Sequence, residues 1–216
     1  MADIFREVDE DVRRMRYEKL WRAYGKYVVA AAVIFIVAVA AGTFWRGQVR
    51  AEREAQGARF AQALELARAG NDVQAAAAFA QLATDAGAGY AALARLQEAA
   101  ALARQGKKAD AVIVYDRLAA DSAANTLVRD LATLLGGLHS LDSASYADVR
   151  RRVEGLTVDT NPWRFSAREI LAVAAVKGGD MGGAQTLLKQ ISDDPEAPGS
   201  TRARAAELLA LVGPTA

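Results

Sequence analysis

The residues that could do chemistry in this chain are few and lie far apart in the sequence. His139 is the single histidine and there is no cysteine, so neither a two-histidine metal site nor a Cys–His nucleophile pair is available. His139 stands at a predicted helix end, where a surface or capping role is expected. Asp193 and Asp194 stand in a predicted loop, and the Gly-Gly-Asp run at 178–180 is typical of a turn and helix start. The sequence predicts no catalytic site, no metal site and no cofactor.

An uncharged run of 19 residues, 27–45, is the strongest single feature of the chain. As a helix rising 1.5 Å per residue, it is nearly as long as the ~30 Å hydrocarbon core of a bilayer. Aromatic side chains suit the two membrane interfaces. They are Tyr24 and Tyr27 at one end and Phe44 and Trp45 at the other. We predict a transmembrane helix over residues 27–45.

A cleaved signal peptide is the alternative, with Ala38-Val39-Ala40 as its small-residue cleavage site. The segment before the apolar run is long and rich in acids, and the run exceeds the 7–15 residues usual in a signal peptide. We therefore predict an uncleaved anchor. Within it, Ala38 and Gly42 form a small-xxx-small pair that would let another membrane helix pack closely.

Basic residues around the span favour one orientation. Seven Lys and Arg precede it and five follow it over the same length, and the cytoplasmic side usually carries the excess. Residues 1–26 are therefore predicted to be cytoplasmic. Apolar residues at spacings of three and four predict an amphipathic helix over residues 3–24, lying on the headgroups or docking to a membrane partner. They are Phe5, Val8, Val12 and Met15.

The rest of the chain predicts one all-helical domain over residues 46–213, with a short tail at 214–216. Its periodicity is 3.6 throughout, and glycine or proline clusters interrupt it at regular intervals. A net charge of +1 provides no basic field for nucleic acid. The predicted helices cover 46–69, 72–85, 90–105, 108–121, 125–139, 144–156, 163–177, 181–192 and 200–212.

These helices repeat. With Gly70, Gly106, Gly179 and Gly213 in register, the steps are 36, 73 and 34 residues. Alanine stands seven residues before each glycine and five after the first three, and bulky residues stand nine and twelve after those three. The alanines are Ala63, Ala99, Ala172, Ala206, Ala75, Ala111 and Ala184, and the bulky residues are Phe79, Tyr115, Leu188, Leu82, Leu118 and Ile191.

This pattern is that of stacked helix-turn-helix pairs, in which small residues allow close crossing and large ones fill the gap to the next pair. It resembles the tetratricopeptide repeat, whose period is 34 residues. The third unit, around 125–156, keeps the helix lengths but loses the signature. We predict a solenoid of three to four pairs closed by residues 200–212, with an irregular helical bundle as the alternative.

Two helix starts are alike: residues 89–95 and 162–168 each open with an aromatic residue and place Ala-Arg four residues later. The favoured interpretation is packing. Tyr90 and Trp163 would wedge against the preceding helix pair, while Arg95 and Arg168 would cap or pair locally. Contact with a partner is the alternative.

The segments ADIFREVDEDVRRMRYEKLWRAYGKY, GYAALARLQEAA, YDRLAAD, NPWRFSAREILAVAA and RAAELLALV, together with the single span, resemble one bacterial family. It comprises the tetratricopeptide-like inner-membrane proteins related to the ancillary subunit of the SecYEG translocon. The resemblance implies a cytoplasmic N-terminus, a periplasmic repeat domain, and work beside the translocon with a membrane-anchored periplasmic chaperone on exported client proteins.

We therefore expect a non-enzymatic scaffold that binds proteins on the surface lined by the first helix of each pair. The candidate contact residues are Phe60, Leu64, Leu93, Leu96, Glu169 and Val173. An alternative keeps the fold but makes the chain an accessory subunit or assembly factor of another inner-membrane complex, docking through the span and residues 3–24. A cytoplasmic adaptor would require the opposite topology.

Overall fold

The structure is a computed structural model that describes residues 2–213, with side chains from residue 19 onward except at positions 20, 28 and 32. Within that range all regular structure is helical. The helices are α1 Ala2–Arg68, α2 Asp72–Asp85, α3 Ala88–Arg104, α4 Lys108–Ala120, α5 Thr126–Ser140, α6 Tyr146–Val153 with a 3₁₀ turn at Glu154–Leu156, α7 Arg164–Lys177, α8 Met181–Ser192 and α9 Gly199–Val212. The predicted tail at 214–216 lies outside the described residues.

The first helix is longer than the sequence predicts. Three separate segments were expected at 3–24, 27–45 and 46–69, but α1 runs unbroken from Ala2 to Arg68. Its glycines cost about 1 kcal/mol each relative to alanine, which weakens a helix without ending it. No proline occurs before Pro162, so no residue in α1 lacks the backbone N–H that the helix requires.

Part of α1 is long and apolar enough to cross a membrane. The stretch Trp21–Arg68 contains a window of mean hydropathy 2.5 in which no residue is buried. Its aromatic ends are exposed: Tyr24 by 60%, Tyr27 by 62%, Phe44 by 70% and Trp45 by 73%. The hydroxyl of Thr43 donates to the carbonyl of Ala40 at 2.9 Å. An apolar window with no buried residue, and with its hydroxyl paired within the helix, suits a lipid environment.

The chain divides into two units, Met1–Ala55 and Gln56–Ala216. In the second unit, four helix pairs follow one another: the end of α1 with α2, α3 with α4, α5 with α6, and α7 with α8. The helix α9 packs on α8 and α7. We call the end of α1 and the helices α3, α5 and α7 the first helices. Contacts of α3 with α5, of α5 with α7 and of α7 with α9 place these helices side by side. The predicted tetratricopeptide-like solenoid is confirmed.

The predicted glycine register is confirmed by the backbone. Gly70, Gly106, Gly179 and Gly213 have φ of 77°, 78°, 82° and 75°, and they are the positive-φ residues of the described chain. After each of the first three, the next amide bonds back to a carbonyl of the preceding helix, as in Asn71 N–H to Leu66 O at 2.9 Å. Glycine adopts positive φ without the cost of a Cβ, so Gly70, Gly106 and Gly179 each end a first helix cleanly, and Gly213 ends α9.

The small and bulky positions of the repeat are buried as predicted, with one exception. Ala63, Ala99, Ala172, Ala75, Ala111, Ala184, Phe79, Tyr115, Leu188, Leu82, Leu118 and Ile191 are each at most 1% exposed. The exception is Ala206, which is exposed, while its neighbour Ala205 is fully buried. The helix α9 has no second helix of its own to cross, so it turns a different residue toward α7 and α8.

The third pair keeps the close crossing with a different residue. A Cβ on Gly137 of α5 would overlap the Cγ1 of Val153 on α6. Both positions are buried. Glycine therefore replaces the alanine of the other pairs, and the signature that the sequence loses here is retained in the packing.

The packing interpretation of the two similar helix starts is confirmed. The Tyr90 ring lies 6.0 Å from that of Phe60 in the preceding pair, and Trp163 packs against the core formed by α5, α6 and α7. Arg95 pairs with Asp121, and Arg168 donates to Asp159 at 2.6 Å. These side chains serve the stacking of consecutive pairs.

Candidate interaction surface

The first helices α5 and α7, with α9 beside them, carry an apolar face. On α7, Glu169, Val173 and Val176 follow each other at spacings of four and three, which places them on one side of the helix. On α5 the same spacing joins Leu134 and Leu138, and it continues to Leu141, the residue directly after the helix. On α9 it joins Arg204, Leu208 and Leu211. Three stripes therefore lie on three neighbouring helices.

Between α5 and α7 the stripes enclose a cleft of about 290 Å³. Its lining is mainly apolar, and Leu138 in that lining is 47% exposed. The lining residues are Leu134, Leu135, Leu138, Leu141, Ser166, Glu169, Ile170 and Val173. A leucine side chain that is about half exposed offers an apolar contact to a side chain of a partner.

A second apolar cleft, of about 300 Å³, lies between α7, α8 and α9. Met181 is 42% exposed and Leu211 is 81% exposed at its rim. The lining comprises Ala172, Val173, Val176, Lys177, Met181, Leu188, Leu208, Leu211 and Val212. Because Val173 lines both clefts, the two adjoin on α7.

An ion pair joins α7 to α9 beside the clefts. The guanidinium of Arg204 donates from Nε and Nη2 to the two carboxylate oxygens of Glu169, each at 2.9 Å. The hydrogen bonds and charge of Glu169 raise the pKa of Arg204. This bidentate contact joins Glu169, which lines the first cleft, to α9, which lines the second.

The structure brings only two of the six predicted contact residues together at these clefts, Glu169 and Val173. Phe60 tilts against Phe79 with ring centres 5.5 Å apart, and Leu64 packs on the same core. Leu96 packs on the next core. Leu93 is 44% exposed on α3. As partner contacts, all six stay predictions.

Leu138 and Leu211, the most exposed leucines of the two clefts, were not among the predicted contact residues. Leu138 belongs to the unit whose signature is lost, and Leu211 belongs to the closing helix, so the repeat register did not lead to either. The spacing of Leu134, Leu138 and Leu141 was the available signal, since it marks one face of a helix.

The histidine of the chain packs against a neighbouring helix. His139, expected at the surface, is half-buried and stacks on Tyr115 with ring centres 5.7 Å apart and planes 7° apart. Burial, with a smaller effect of the Lys108 charge, lowers the pKa of His139. Burial also raises the pKa of Glu98. Among the residues that the structure describes, no three His, Asp or Glu side chains are grouped closely enough to hold a metal ion.

Three larger clefts, of about 500 to 660 Å³, lie against the second helices, and charged residues line them. Several of these charges are already paired, as Arg95 is with Asp121 and Arg151 is with Asp148. Their hydrogen-bonding capacity is partly used inside the chain. The apolar clefts beside α7 are therefore the better candidates for a protein contact.

Comparison with known proteins finds a match to a family of repeat domains. The tetratricopeptide repeat-like domain family matches residues 18–140, which end at the last residue of α5, so α6 to α9 lie beyond the matched part. No curated protein and no solved structure matches the chain. The family match covers more than half of the 216 residues and agrees with the stacked pairs, so this chain belongs to the tetratricopeptide repeat-like family.

Proposed function

We propose that this chain is a non-enzymatic scaffold, anchored in the bacterial inner membrane by residues 27–45, whose periplasmic repeat domain binds proteins. Domains of the tetratricopeptide-like family are typically protein-interaction modules. The observation that carries the proposal is the pair of adjoining apolar clefts on α5, α7 and α9. Their partner is a protein segment with apolar side chains.

The proposed setting is the SecYEG translocon, where the chain acts as an ancillary factor and assists exported proteins together with a membrane-anchored periplasmic chaperone. The N-terminal signature and the segment NPWRFSARE support this setting by resemblance. The excess of basic residues before the span supports a cytoplasmic N-terminus.

Site-specific photocrosslinkers test the binding surface. Placed at Leu138 and Val173 of the full chain in membranes, they should capture partner proteins. Matched crosslinkers at Gln81 and Lys189, exposed positions on the second helices α2 and α8, should capture few. Capture from the second helices alone would contradict the proposed surface. Mass spectrometry of the adducts identifies the partner, and a complex unrelated to protein export would contradict the translocon setting.

Cysteine labelling tests the topology, because the chain has no cysteine of its own. Single variants Ala2→Cys and Ser122→Cys place a thiol before the span and in the repeat unit, where Ser122 is exposed. A membrane-impermeant maleimide added from the periplasmic side should label only Ser122→Cys. Labelling of Ala2→Cys alone would reverse the orientation and favour a cytoplasmic adaptor.

Deletion of residues 2–24 separates the scaffold from an accessory subunit. The scaffold should still crosslink its partners through Val173. If the shortened chain instead loses its complex while its repeat unit stays folded, the accessory-subunit function is favoured.

A further inference from the structure

We infer that Arg46, Arg50 and Arg53 form a binding surface for the phosphates of anionic phospholipids, in the leaflet that the span leaves at Trp45. The inference rests on the membrane anchoring proposed above and adds the lipid class that the anchor prefers. We call these three residues the arginine stripe.

The continuity of α1 fixes the direction of the stripe relative to the span. The sequence predicts a new helix from residue 46, which would leave the direction of these side chains relative to the span open. In the structure α1 runs through this point without a break. Positions 46, 50 and 53 are spaced by four and three residues, so they fall within about 60° of one another around the helix. The three guanidinium groups therefore share one face.

The stripe is open to a ligand. Arg46 and Arg53 are exposed, and neither makes an ion pair within the part of the chain that the structure describes. Arg50 donates to Glu54 at 2.8 Å, yet its side chain remains 82% exposed. The carboxylate of Glu52 lies more than about 100° around the helix from the stripe. The positive charge of this face is therefore largely uncompensated.

The height of the stripe matches a layer of phosphates. Arg46 directly follows Trp45, which is 73% exposed and suited to the membrane interface. Arg53 stands about 10 Å further along the helix. The headgroup region of a leaflet is about 5–8 Å thick, and a long arginine side chain can bend back toward it. All three guanidinium groups can reach phosphates, which they bind through paired N–H donors.

Lipid retention by the full chain tests this surface. The protein, purified in mild detergent, is mixed with equal amounts of phosphatidylglycerol and phosphatidylethanolamine, and native mass spectrometry counts the bound lipids. Each basic residue at a membrane surface contributes about fivefold to anionic-lipid binding. The triple variant Arg46→Gln, Arg50→Gln, Arg53→Gln should therefore lose at least about tenfold of the wild-type preference for phosphatidylglycerol.

A matched control removes the same charge elsewhere. The substitutions are Arg68→Gln, Arg150→Gln and Arg151→Gln, at arginines whose carboxylate partners lie within four residues. This variant should keep the preference. An unchanged preference in the stripe variant would overturn the inference, and so would an equal loss in the control.

The other end of the span provides the competing explanation. A variant with Lys19→Gln, Arg22→Gln and Lys26→Gln measures the contribution of that end, and loss of preference confined to that variant would overturn the inference. Carbonate extraction of native membranes tests the anchor separately. If the wild-type chain is extracted, the anchoring proposal fails; if it stays in the membrane without a preference for phosphatidylglycerol, only the arginine stripe fails.

Discussion

Single residues decide how closely the helices of a pair can approach. Gly137 occupies the crossing of α5 and α6 where the other pairs have alanine, and Val153 fills the space that its side chain would need. The repeat therefore tolerates a change of residue only when the volume at the crossing is kept.

Gly137→Ala is expected to destabilise the repeat unit by about 1–2 kcal/mol. Overlap with Val153 costs about 1–3 kcal/mol, and the better helix propensity of alanine offsets up to about 1 kcal/mol of it. Urea unfolding measures the difference. Gly182→Ala is the control, since nothing lies within 4 Å of its Cβ position in α8, and it should be neutral or stabilising. Equal effects of the two changes would contradict the close crossing.

His139 makes stability depend on pH. Its pKa is lower in the folded protein than its ordinary value near 6.5, so the unfolded chain takes up the proton first as pH falls. Its contribution is fully present above about pH 6.5 and is lost as pH falls toward the lowered folded pKa. The raised pKa of Glu98 acts in the opposite direction at lower pH.

Urea unfolding at pH 7.5 and pH 5 should show a larger loss of stability in the wild type than in His139→Phe, which keeps an aromatic ring on Tyr115 and cannot titrate. Because His139 is the single histidine of the chain, the difference between the two proteins isolates its proton. Identical pH profiles would show that its environment does not disfavour the charge.

At the scale of elements, α9 closes the solenoid and buries little of its own surface. Ala205 is its one fully buried residue in the described chain, and Leu208 and Leu209 are half-buried. The bidentate contact of Arg204 with Glu169 therefore contributes measurably to the stability with which α9 packs on α7 beside the second cleft.

A double-mutant cycle with Glu169→Gln and Arg204→Gln should give a coupling free energy of about 0.5–1 kcal/mol, because Arg204 is 53% exposed and water screens the pair. The control cycle uses Arg150 and Glu154, an exposed pair one turn apart at 3.1 Å, with about 0.3–0.5 kcal/mol expected. Thermal unfolding of the full set measures both. A coupling no larger than that of the control would mean that the two-point geometry adds nothing.

At the scale of the molecule, each pair buries its apolar face only against its neighbours, so stability is shared along the stack. Tyr115 lies in the second pair at 1% exposure and contacts the core between α3, α4 and α5. Leu188 is equally buried in the last pair, against α7 and α9. The two residues are equally buried, but Tyr115 lies inside the stack and Leu188 lies in its last pair.

Tyr115→Ala should cost about 3–5 kcal/mol and Leu188→Ala about 2–5 kcal/mol. Native-state hydrogen exchange should show protection lost on both sides of the second pair in the first variant, and only in α7 to α9 in the second. Uniform loss in both variants would indicate one cooperative core in place of a stack.

The sequence by itself determined the helices of the repeat domain after α1 and their repetition. Glycine at 70, 106, 179 and 213 ends helices because it alone adopts positive φ without strain, and buried alanines follow from the need for close crossing. The helix-ending glycines and the buried alanines are local requirements, and their fixed spacing is visible in the sequence. The long uncharged run is local too, so a helix fit to cross a membrane was predictable from it.

Only the tertiary structure decided what depends on neighbouring helices. The structure also decides that α1 continues through Trp45, and this continuity fixes the direction of Arg46, Arg50 and Arg53 relative to the span. The clefts beside Val173 are lined by residues of several helices that are distant in sequence. The spacing within one helix can place Leu138 or Leu211 on a face, but it cannot show which neighbouring helices complete the cleft. The burial of a side chain depends on which neighbouring helix packs against it. A sequence pattern shows the face on which the side chain lies but not the helix that covers that face.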